Sequence, residues 1–189
     1  MKKFLVITGT PGTGKSTVSK LLATALCWKH IDIGKLAYRK RLFKGYDRKR
    51  KVPIVDLKKV KAEILRITRC MNTNVILDGS YSHLILPRKA VIAVVVLRCS
   101  PNQLANRLRR KRWSVDKIKE NVQSEIIGVC ESEAMMVYGK VCEVDTTNIK
   151  AMEVCRKIIS MYKKGFPETR HIDWLSWLVH DRSLLRWMV

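Results

Sequence analysis

The sequence predicts an α/β fold in which a five-stranded parallel sheet is flanked by helices. Three observations indicate this fold: short apolar runs of strand length, helical apolar stripes between them, and a glycine-rich segment directly after the first run. Alternating strands and helices are typical of βαβ units, which make strands parallel and cover both faces of the sheet. Because 189 residues is the usual length of one domain, we predict a single domain over residues 1–189.

The elements follow in order along the chain. The predicted strands are 4–9, 30–33, 74–79, 90–99 and 140–147. Helical periodicity predicts helices over 15–27, 57–67, 101–108, 114–138 and 150–163. Residues 34–71 are expected to combine helical pieces with a basic loop that Gly45 and Pro53 interrupt.

The last segment, about residues 168–189, is predicted to be a helical tail. Its expected apolar stripe consists of Ile172, Leu175, Leu178 and Val179. The tail also carries Trp174, Trp177 and Trp187. A stripe of this kind either docks on its own domain or binds a partner, and the sequence favours docking.

Composition excludes several classes of protein. The longest apolar run, residues 90–97, is far shorter than the ~20 residues that a membrane-spanning helix needs, so we expect no membrane span. The six cysteines are scattered and form no CxxC pair, which favours buried small hydrophobic residues in a reducing cytoplasm over the alternative of an internal disulfide.

The net charge of +22 predicts a polyanionic partner, with nucleic acid as the first candidate. Cations are concentrated in the segments 39–51 and 107–112. The alternative is a lysine-rich solvated surface, although such surfaces usually carry balancing acids, and here 38 Lys and Arg face 16 Asp and Glu.

The segment GTPGTGKST, residues 9–17, has the spacing of a phosphate-binding P-loop between a strand and a helix. In such a loop, backbone N–H groups and the helix N-terminus hold the phosphates of ATP. Lys15 would reach the β- and γ-phosphates as the catalytic cation, Ser16 would hold Mg²⁺, and Thr17 would donate to the α-phosphate. The predicted nucleotide-binding residues are Gly12, Thr13, Gly14, Lys15, Ser16 and Thr17.

A Mg²⁺ site also requires an acid at the end of a neighbouring strand. Asp78 ends the buried run VILD and is the preferred residue on the Mg²⁺ side, with a role in catalysis. Asp145, at the end of the fifth strand, is the rival.

The P-loop does not reveal where the phosphate goes. Transfer to a second substrate requires a second anion-binding segment and a cationic lid that excludes water, whereas hydrolysis requires neither. Residues 32–55 supply Asp32, Gly34 and Arg39, and residues 107–113 supply the cations of a lid.

Four segments together resemble the atypical adenylate kinase family, isoenzyme six, in its archaeal form. They are GTPGTGKST, GYDRKRKVPIVD, LDGSYSHLILP and RWSVDKIKENVQSEIIGVCESEA, and the similarity extends over about residues 3–148. The resemblance implies a P-loop nucleoside monophosphate (NMP) kinase fold, with an NMP-binding segment at about 32–55 and a short lid at about 111–121. It implies a broad-specificity, Mg²⁺-dependent NMP kinase with ATPase activity.

The resemblance also implies roles for particular residues and partners. Arg112 corresponds to the lid arginine that contacts ATP, and Asp32, Gly34 and Arg39 fall in the NMP site. Members of the family act in maturation of the small ribosomal subunit by binding the platform protein uS-eleven. Together with the charge, this predicts contact with rRNA or a pre-ribosome.

This sequence departs from the family pattern at three places. Tyr38 stands where eukaryotic relatives carry arginine. Ser80 stands where the family has a histidine, and the next histidine in this sequence is His83. The lid reads Arg-Trp-Ser rather than Arg-Gly-Tyr. His83 is expected to be a surface or helix-capping residue. Two other functions stay open: an assembly ATPase without kinase activity, and a small-molecule kinase of the shikimate or gluconate type.

Overall fold

The computed structural model describes residues 3–48, 50 and 52–188. A five-stranded parallel sheet has the strand order β2–β5–β1–β6–β7, which places the first strand at its centre. Its strands are β1 Phe4–Thr8, β2 Lys29–Asp32, β5 Val75–Asp78, β6 Val91–Arg98 and β7 Cys142–Asp145. The predicted fold class and the five predicted strands are confirmed.

Helices cover both faces of this sheet. They are α1 Lys15–Leu26, α2 Ile33–Lys40, α3 Leu57–Thr68, α4 Pro101–Arg110, α5 Val115–Ile126, α6 Val129–Tyr138, α7 Ala151–Lys163 and the single turn α8 Trp177–His180. Alternation along β1 decides which face each side chain joins. Leu5 and Ile7 pack with α1 and α7, whereas Val6 packs with α6.

The predicted single helix over 114–138 is wrong, because the structure has two helices there. Gly128 separates α5 from α6 with a left-handed φ of 68°, a conformation that glycine adopts without steric cost. A Cβ at this glycine would come within 3.8 Å of the Arg98 guanidinium. The turn between α5 and α6 therefore lies against the buried guanidinium of Arg98.

Residues 43–55 contain an antiparallel hairpin that the sequence analysis treated as a basic loop. Its strands are β3 Phe43–Asp47 and β4 Val52–Val55. The strands are anchored at their open end, where Phe43 and Val55 pack on the apolar cluster formed by β2, β5, α2 and α3. The remaining hairpin residues are largely exposed, so their polar sequence resembles that of a loop.

The tail is only partly helical, and its predicted stripe is wrong. Apart from α8, its regular structure is a 3-10 segment, Arg182–Trp187. Val179 is 80% exposed, and the side chain of Leu178 lies outside the described residues. Trp174 and Trp187 are buried, which confirms that the tail docks on its own domain.

Two expectations from composition also have structural outcomes. All six cysteines are free, but the expectation that they are buried is wrong for Cys27 and Cys70, which are exposed. Within residues 3–48, 50 and 52–188, every helix is too short or too polar to cross a bilayer.

A buried ion network joins the end of the sheet to α5 and the tail. Arg98, at the end of β6, donates from Nε to Glu125 at 2.9 Å and from Nη1 to Glu143 at 2.6 Å. All three side chains are nearly inaccessible to solvent. The same guanidinium donates to the carbonyls of Glu125 and Ile172. Arg98 thus compensates two buried carboxylates that belong to α5 and β7.

We expect Arg98→Met to destabilise the fold by about 3–5 kcal/mol, because it leaves two buried carboxylates without their cation. Urea denaturation would measure this loss. Arg66→Met is the matched control, since Arg66 is exposed and its partner Glu63 keeps a second cation, Lys40, so this loss should matter far less. Equal losses in the two variants would contradict the role of the buried network.

Candidate nucleotide-binding site

The glycine-rich segment folds as a loop between β1 and α1. Gly9 has a φ of 132°, and a Cβ there would collide with the carbonyl of Leu97 on β6. Gly14 has a φ of 98° and caps the N-terminus of α1. Both positions exclude ordinary side chains, so the glycine spacing is required by the backbone geometry. The N-terminal N–H groups of α1 provide the kind of end that binds an anion.

Lys15 is folded back over this loop. Its Nζ donates to the carbonyl of Gly9 at 2.7 Å and to that of Thr10 at 2.9 Å. Burial lowers the pKa of Lys15 to about 8, and the nearby Cys130, Asp78 and Glu125 oppose this shift. The ammonium is therefore held against the loop by two backbone carbonyls.

Asp78 lies beside the loop at the end of the adjacent strand β5. Its Oδ2 accepts a hydrogen bond of 2.8 Å from Ser16, and its Oδ1 lies 2.5 Å from Nε2 of His30. The hydroxyl and carboxylate predicted for the Mg²⁺ site are thus brought together, with oxygen donors of the kind that Mg²⁺ prefers. His30 is an additional contact that the sequence analysis did not anticipate.

Asp145, the rival acid, is placed differently. Its Oδ1 accepts hydrogen bonds from the N–H and the hydroxyl of Thr147, at 2.8 and 2.6 Å. These contacts make Asp145 a turn-stabilising residue after β7.

An open cleft of about 290 Å³ joins the loop to the N-terminus of α2. Asp32, which caps the N-terminus of α2, and Gly34 in the first turn of α2 face the same space as Lys15 and Asp78. The cleft is lined by Pro11, Gly12, Gly14, Lys15, Ser16, Thr17, Asp32, Gly34, Asp78, Gly79, Ser80, Tyr81 and Lys111. Thr13 is buried under the loop, where its hydroxyl donates to the carbonyl of Thr10.

Arg39 does not line this cleft. It lines a neighbouring depression together with Lys20, Lys29 and Lys35, and Asp32 borders both. The neighbouring Tyr38 packs edge-on against Phe43. Asp32 and Gly34 are thus brought to the phosphate loop, and Arg39 is not.

The aromatic wall of the cleft is Tyr81. Burial raises the pKa of its phenol to about 12, and the nearby Asp32 and Tyr38 raise it further. Tyr81 therefore remains a neutral hydrogen-bonding group at physiological pH.

The predicted lid residues follow the end of α4. Arg112 is exposed and has a left-handed φ of 57°, and it is not among the residues that line the cleft. The preceding residue, Lys111, does line it. Of the predicted lid cations, Lys111 thus lines the cleft in this conformation and Arg112 does not.

His83 is fully buried, so the expectation of a surface or capping histidine is wrong. Its Nδ1 is hydrogen-bonded to the Thr8 hydroxyl at 2.7 Å and its Nε2 to Glu133 at 3.0 Å. Burial lowers the pKa of His83, and the hydrogen bond with Glu133 opposes that shift. His83 joins β1 to α6, whereas Ser80 lines the cleft.

Sequence reasoning missed Glu125. This buried residue accepts a 2.5 Å hydrogen bond from Thr10, within the loop. A signal was available, because Glu125 is two helical turns after Ile118 and lies on the apolar face of α5. An acid at such a position requires buried partners.

The central strand, the phosphate loop and the strand-end acid define a P-loop protein of the α/β class. Residues 5–128 match the AAA domain family. Proteins named "Putative adenylate kinase" are 34% identical in Saccharolobus solfataricus, 36% in Methanocaldococcus jannaschii and 37% in Pyrococcus abyssi. Each comparison covers 90% of this chain, and 87%, 92% and 90% of the respective relative. The chain therefore belongs to the AAA domain family and to the family of these archaeal proteins.

Solved structures show the same fold at low sequence identity. Shikimate kinase from Acinetobacter baumannii, in complex with shikimate, has a TM-score of 0.61 and 14% identity, over 87% of this chain and 94% of that one. A gluconokinase from Sinorhizobium meliloti 1021 has a TM-score of 0.54 and 18% identity, over 86% of this chain and 92% of that one.

The family part of the sequence resemblance is confirmed, and its isoenzyme-six assignment stays a prediction.

We expect Asp78→Asn to raise the Mg²⁺ concentration needed for half-maximal ATP turnover, because the carboxylate beside Ser16 loses its charge. A Mg²⁺ titration at fixed ATP measures this shift. Asp145→Asn is the control, since an amide oxygen can still accept the hydrogen bonds from Thr147. The assignment of Asp78 fails if both variants respond to Mg²⁺ like the wild type.

Proposed function

We propose that the protein is a cytoplasmic NMP kinase that transfers the γ-phosphate of Mg²⁺-bound ATP to AMP or another NMP, and that it also hydrolyses ATP. The observation that supports this most directly is the shared cleft. It combines the phosphate loop, the Ser16–Asp78 pair and the N-terminus of α2 with Asp32 and Gly34. A donor site and an acceptor site on one sheet edge permit direct transfer between two bound phosphates.

Each loop residue has a role in this proposal. The backbone of Gly12, Thr13 and Gly14 surrounds the β-phosphate, and Lys15 leaves its carbonyl acceptors to follow the transferred phosphoryl group. Ser16 and Asp78 would hold Mg²⁺, which would neutralise negative charge on the phosphates when bound. Thr17 would donate to the α-phosphate.

We propose residues 32–55 as the NMP-binding segment and residues 111–121 as the lid of one domain. A contact between the two segments supports this assignment: Arg50, beside the β3–β4 hairpin, lies 3.3 Å from Glu120 on α5. Asp32 and Gly34 already face the phosphate loop. Arg39 would have to turn from the neighbouring depression towards the cleft to reach the acceptor phosphate.

The alternative small-molecule kinase rests on fold alone. The shikimate kinase and the gluconokinase share the sheet and loop with this chain, but at 14% and 18% identity. The archaeal relatives named as adenylate kinases are more than 30% identical over most of their length, which favours the NMP.

The test is ADP formation from ATP alone, with AMP, and with shikimate or gluconate. We expect AMP to accelerate turnover and the acids to have no effect. Lys15→Ala should abolish both transfer and hydrolysis, because the same cation acts in both. Retention of more than roughly a tenth of the activity, equivalent to ~1.4 kcal/mol of barrier, would contradict the role of Lys15. Turnover that is indifferent to AMP would favour the assembly ATPase.

We propose that Arg112 moves over the transferred phosphoryl when the lid closes. Arg112→Ala should then lower kcat by roughly tenfold or more while changing the KM for ATP little, because the cation acts on charge in the transition state. Lys111→Ala is the comparison, since Lys111 lines the open cleft. A loss of kcat in Lys111→Ala alone would assign the lid role to Lys111.

We further propose that the surplus positive charge contacts rRNA or a pre-ribosome, and that a platform ribosomal protein of the uS-eleven type binds elsewhere. Exposed cations on α2 and the hairpin segment support this idea: Arg39, Lys40, Arg41, Lys44, Arg48 and Arg50. Lys49 and Lys51 lie outside the described residues. Arg107 is a different case, because it donates to Thr146 and has a structural contact.

Binding of a labelled single-stranded RNA tests whether the surplus positive charge contacts nucleic acid. If several phosphates are neutralised, the affinity should fall by orders of magnitude between about 50 and 200 mM salt, and RNA should inhibit AMP phosphorylation. Combined alanine substitution of Arg41, Lys44 and Arg48 should reduce the salt dependence, and Arg66→Ala is the control on α3. An affinity that is independent of salt would leave the charge as a property of the solvated surface.

A further inference from the structure

Glu125 is a buried carboxylate in the last turn of α5, and its Oε1 is held by three donors. The guanidinium of Arg98 donates at 2.9 Å, the backbone N–H of Cys99 at 3.0 Å and the indole of Trp174 at 3.3 Å. These donors come from the end of β6, the following residue and the tail. Because they converge from three parts of the fold, the position of this carboxylate is strongly constrained.

The second oxygen, Oε2, accepts the hydroxyl of Thr10 at 2.5 Å. Thr10 is 1% exposed and Glu125 is 2% exposed, so water does not compete for this contact. A hydrogen bond to a buried carboxylate is charge-assisted and stronger than one between neutral groups.

Thr10 is also the residue on which the phosphate loop is organised. Its carbonyl accepts the ammonium of Lys15 at 2.9 Å, the hydroxyl of Thr13 at 2.9 Å and the N–H of Thr13 at 3.3 Å. The side chain of Thr10 is thus fixed by α5, while its peptide fixes the residues that bind phosphate.

We propose that Glu125 is a positioning residue that sets the geometry of the phosphate loop through the hydroxyl of Thr10. The proposal rests on the phosphoryl-transfer function above, because it concerns the loop that would bind the transferred phosphate. Glu125 does not touch the substrate. It holds the Thr10 peptide at a fixed distance from α5, so that the N–H groups and Lys15 are arranged before ATP arrives.

We expect a kinetic effect because phosphoryl transfer tolerates little displacement of the groups that bind the phosphates. Displacement of a phosphate-binding group by about 1 Å can lower the rate by roughly a hundredfold. Without the hydroxyl, the Thr10 peptide retains its bonds to Lys15 and Thr13 but loses the side-chain hydrogen bonds that join it to Glu125 on α5 and Cys130 on α6. The loop then samples positions in which those groups point away from the γ-phosphate.

The experiment compares Thr10→Val with Thr10→Ser. Valine preserves the shape of threonine and removes the hydroxyl, whereas serine restores the hydroxyl. We expect Thr10→Val to lower kcat roughly tenfold, with a smaller change in the KM for ATP, and Thr10→Ser to recover most of the loss.

Thr68→Val is the matched control for the loss of a buried hydroxyl. Thr68 lies at the end of α3, is fully buried, and donates to the carbonyl of Ile64 at 2.7 Å. We expect this variant to lose stability in thermal denaturation and to keep its kcat.

Glu125→Gln tests the other end of the contact. If Glu125 and Thr10 act through one hydrogen bond, the losses of kcat in Glu125→Gln and Thr10→Val should not add in the double variant. Because Arg98 also depends on Glu125, this variant could unfold, and the conclusion then depends on the Thr10 series alone.

Hydrogen exchange of the amides of residues 12–16 provides a readout that does not require turnover. Thr10→Val should accelerate their exchange relative to Thr68→Val. Wild-type kcat and exchange in Thr10→Val would overturn the proposal, as would a Thr10→Ser variant as slow as Thr10→Val. A dead Lys15→Ala beside an unimpaired Thr10→Val would contradict only this inference, and ATP turnover without response to AMP would contradict only the kinase assignment.

Discussion

The buried ion network of Arg98, Glu125 and Glu143 is the interaction on which the rest of the structure depends. One guanidinium at the end of β6 compensates carboxylates from α5 and β7, and also binds the tail through the carbonyl of Ile172. Buried charges of this kind are costly unless they are paired and fully hydrogen-bonded. Segments that are distant in the chain must therefore assemble together, which constrains the carboxyl edge of the sheet.

The buried ion network lies next to the candidate catalytic loop, because Glu125 belongs to the network and contacts the loop. Glu125 connects the network to Thr10, and His83 connects the end of β1 to α6 at Glu133. Buried hydrogen bonds thus hold the P-loop on the side that packs against the protein, and its other side faces the open cleft. Such support is what a phosphate site requires, since its N–H groups must be arranged before the ligand binds.

The exposed cations obey different physics. Arg50 and Glu120 make a contact through water-accessible side chains, and the surrounding cations of α2 and the hairpin are solvated. Salt screens the interactions between such exposed charges beyond a separation of about 8–10 Å. Exposed ion pairs therefore add little to folding stability. Their combined field extends from the surface instead, which is why the surplus of positive charge concerns association rather than the fold.

The sequence by itself determined the five strands of the parallel sheet, the P-loop and the strand-end acid, because these depend on local patterns. Apolar runs specify buried strands, glycines specify the turns that Gly9 and Gly14 make, and Asp78 ends a strand beside β1. Only the tertiary structure decided which partners the buried polar groups contact and where α2 places Arg39. The partners of Glu125 and His83 lie 26 to 115 residues away in the chain. No local pattern encodes such pairings, because the packing of whole helices against the sheet brings these side chains together.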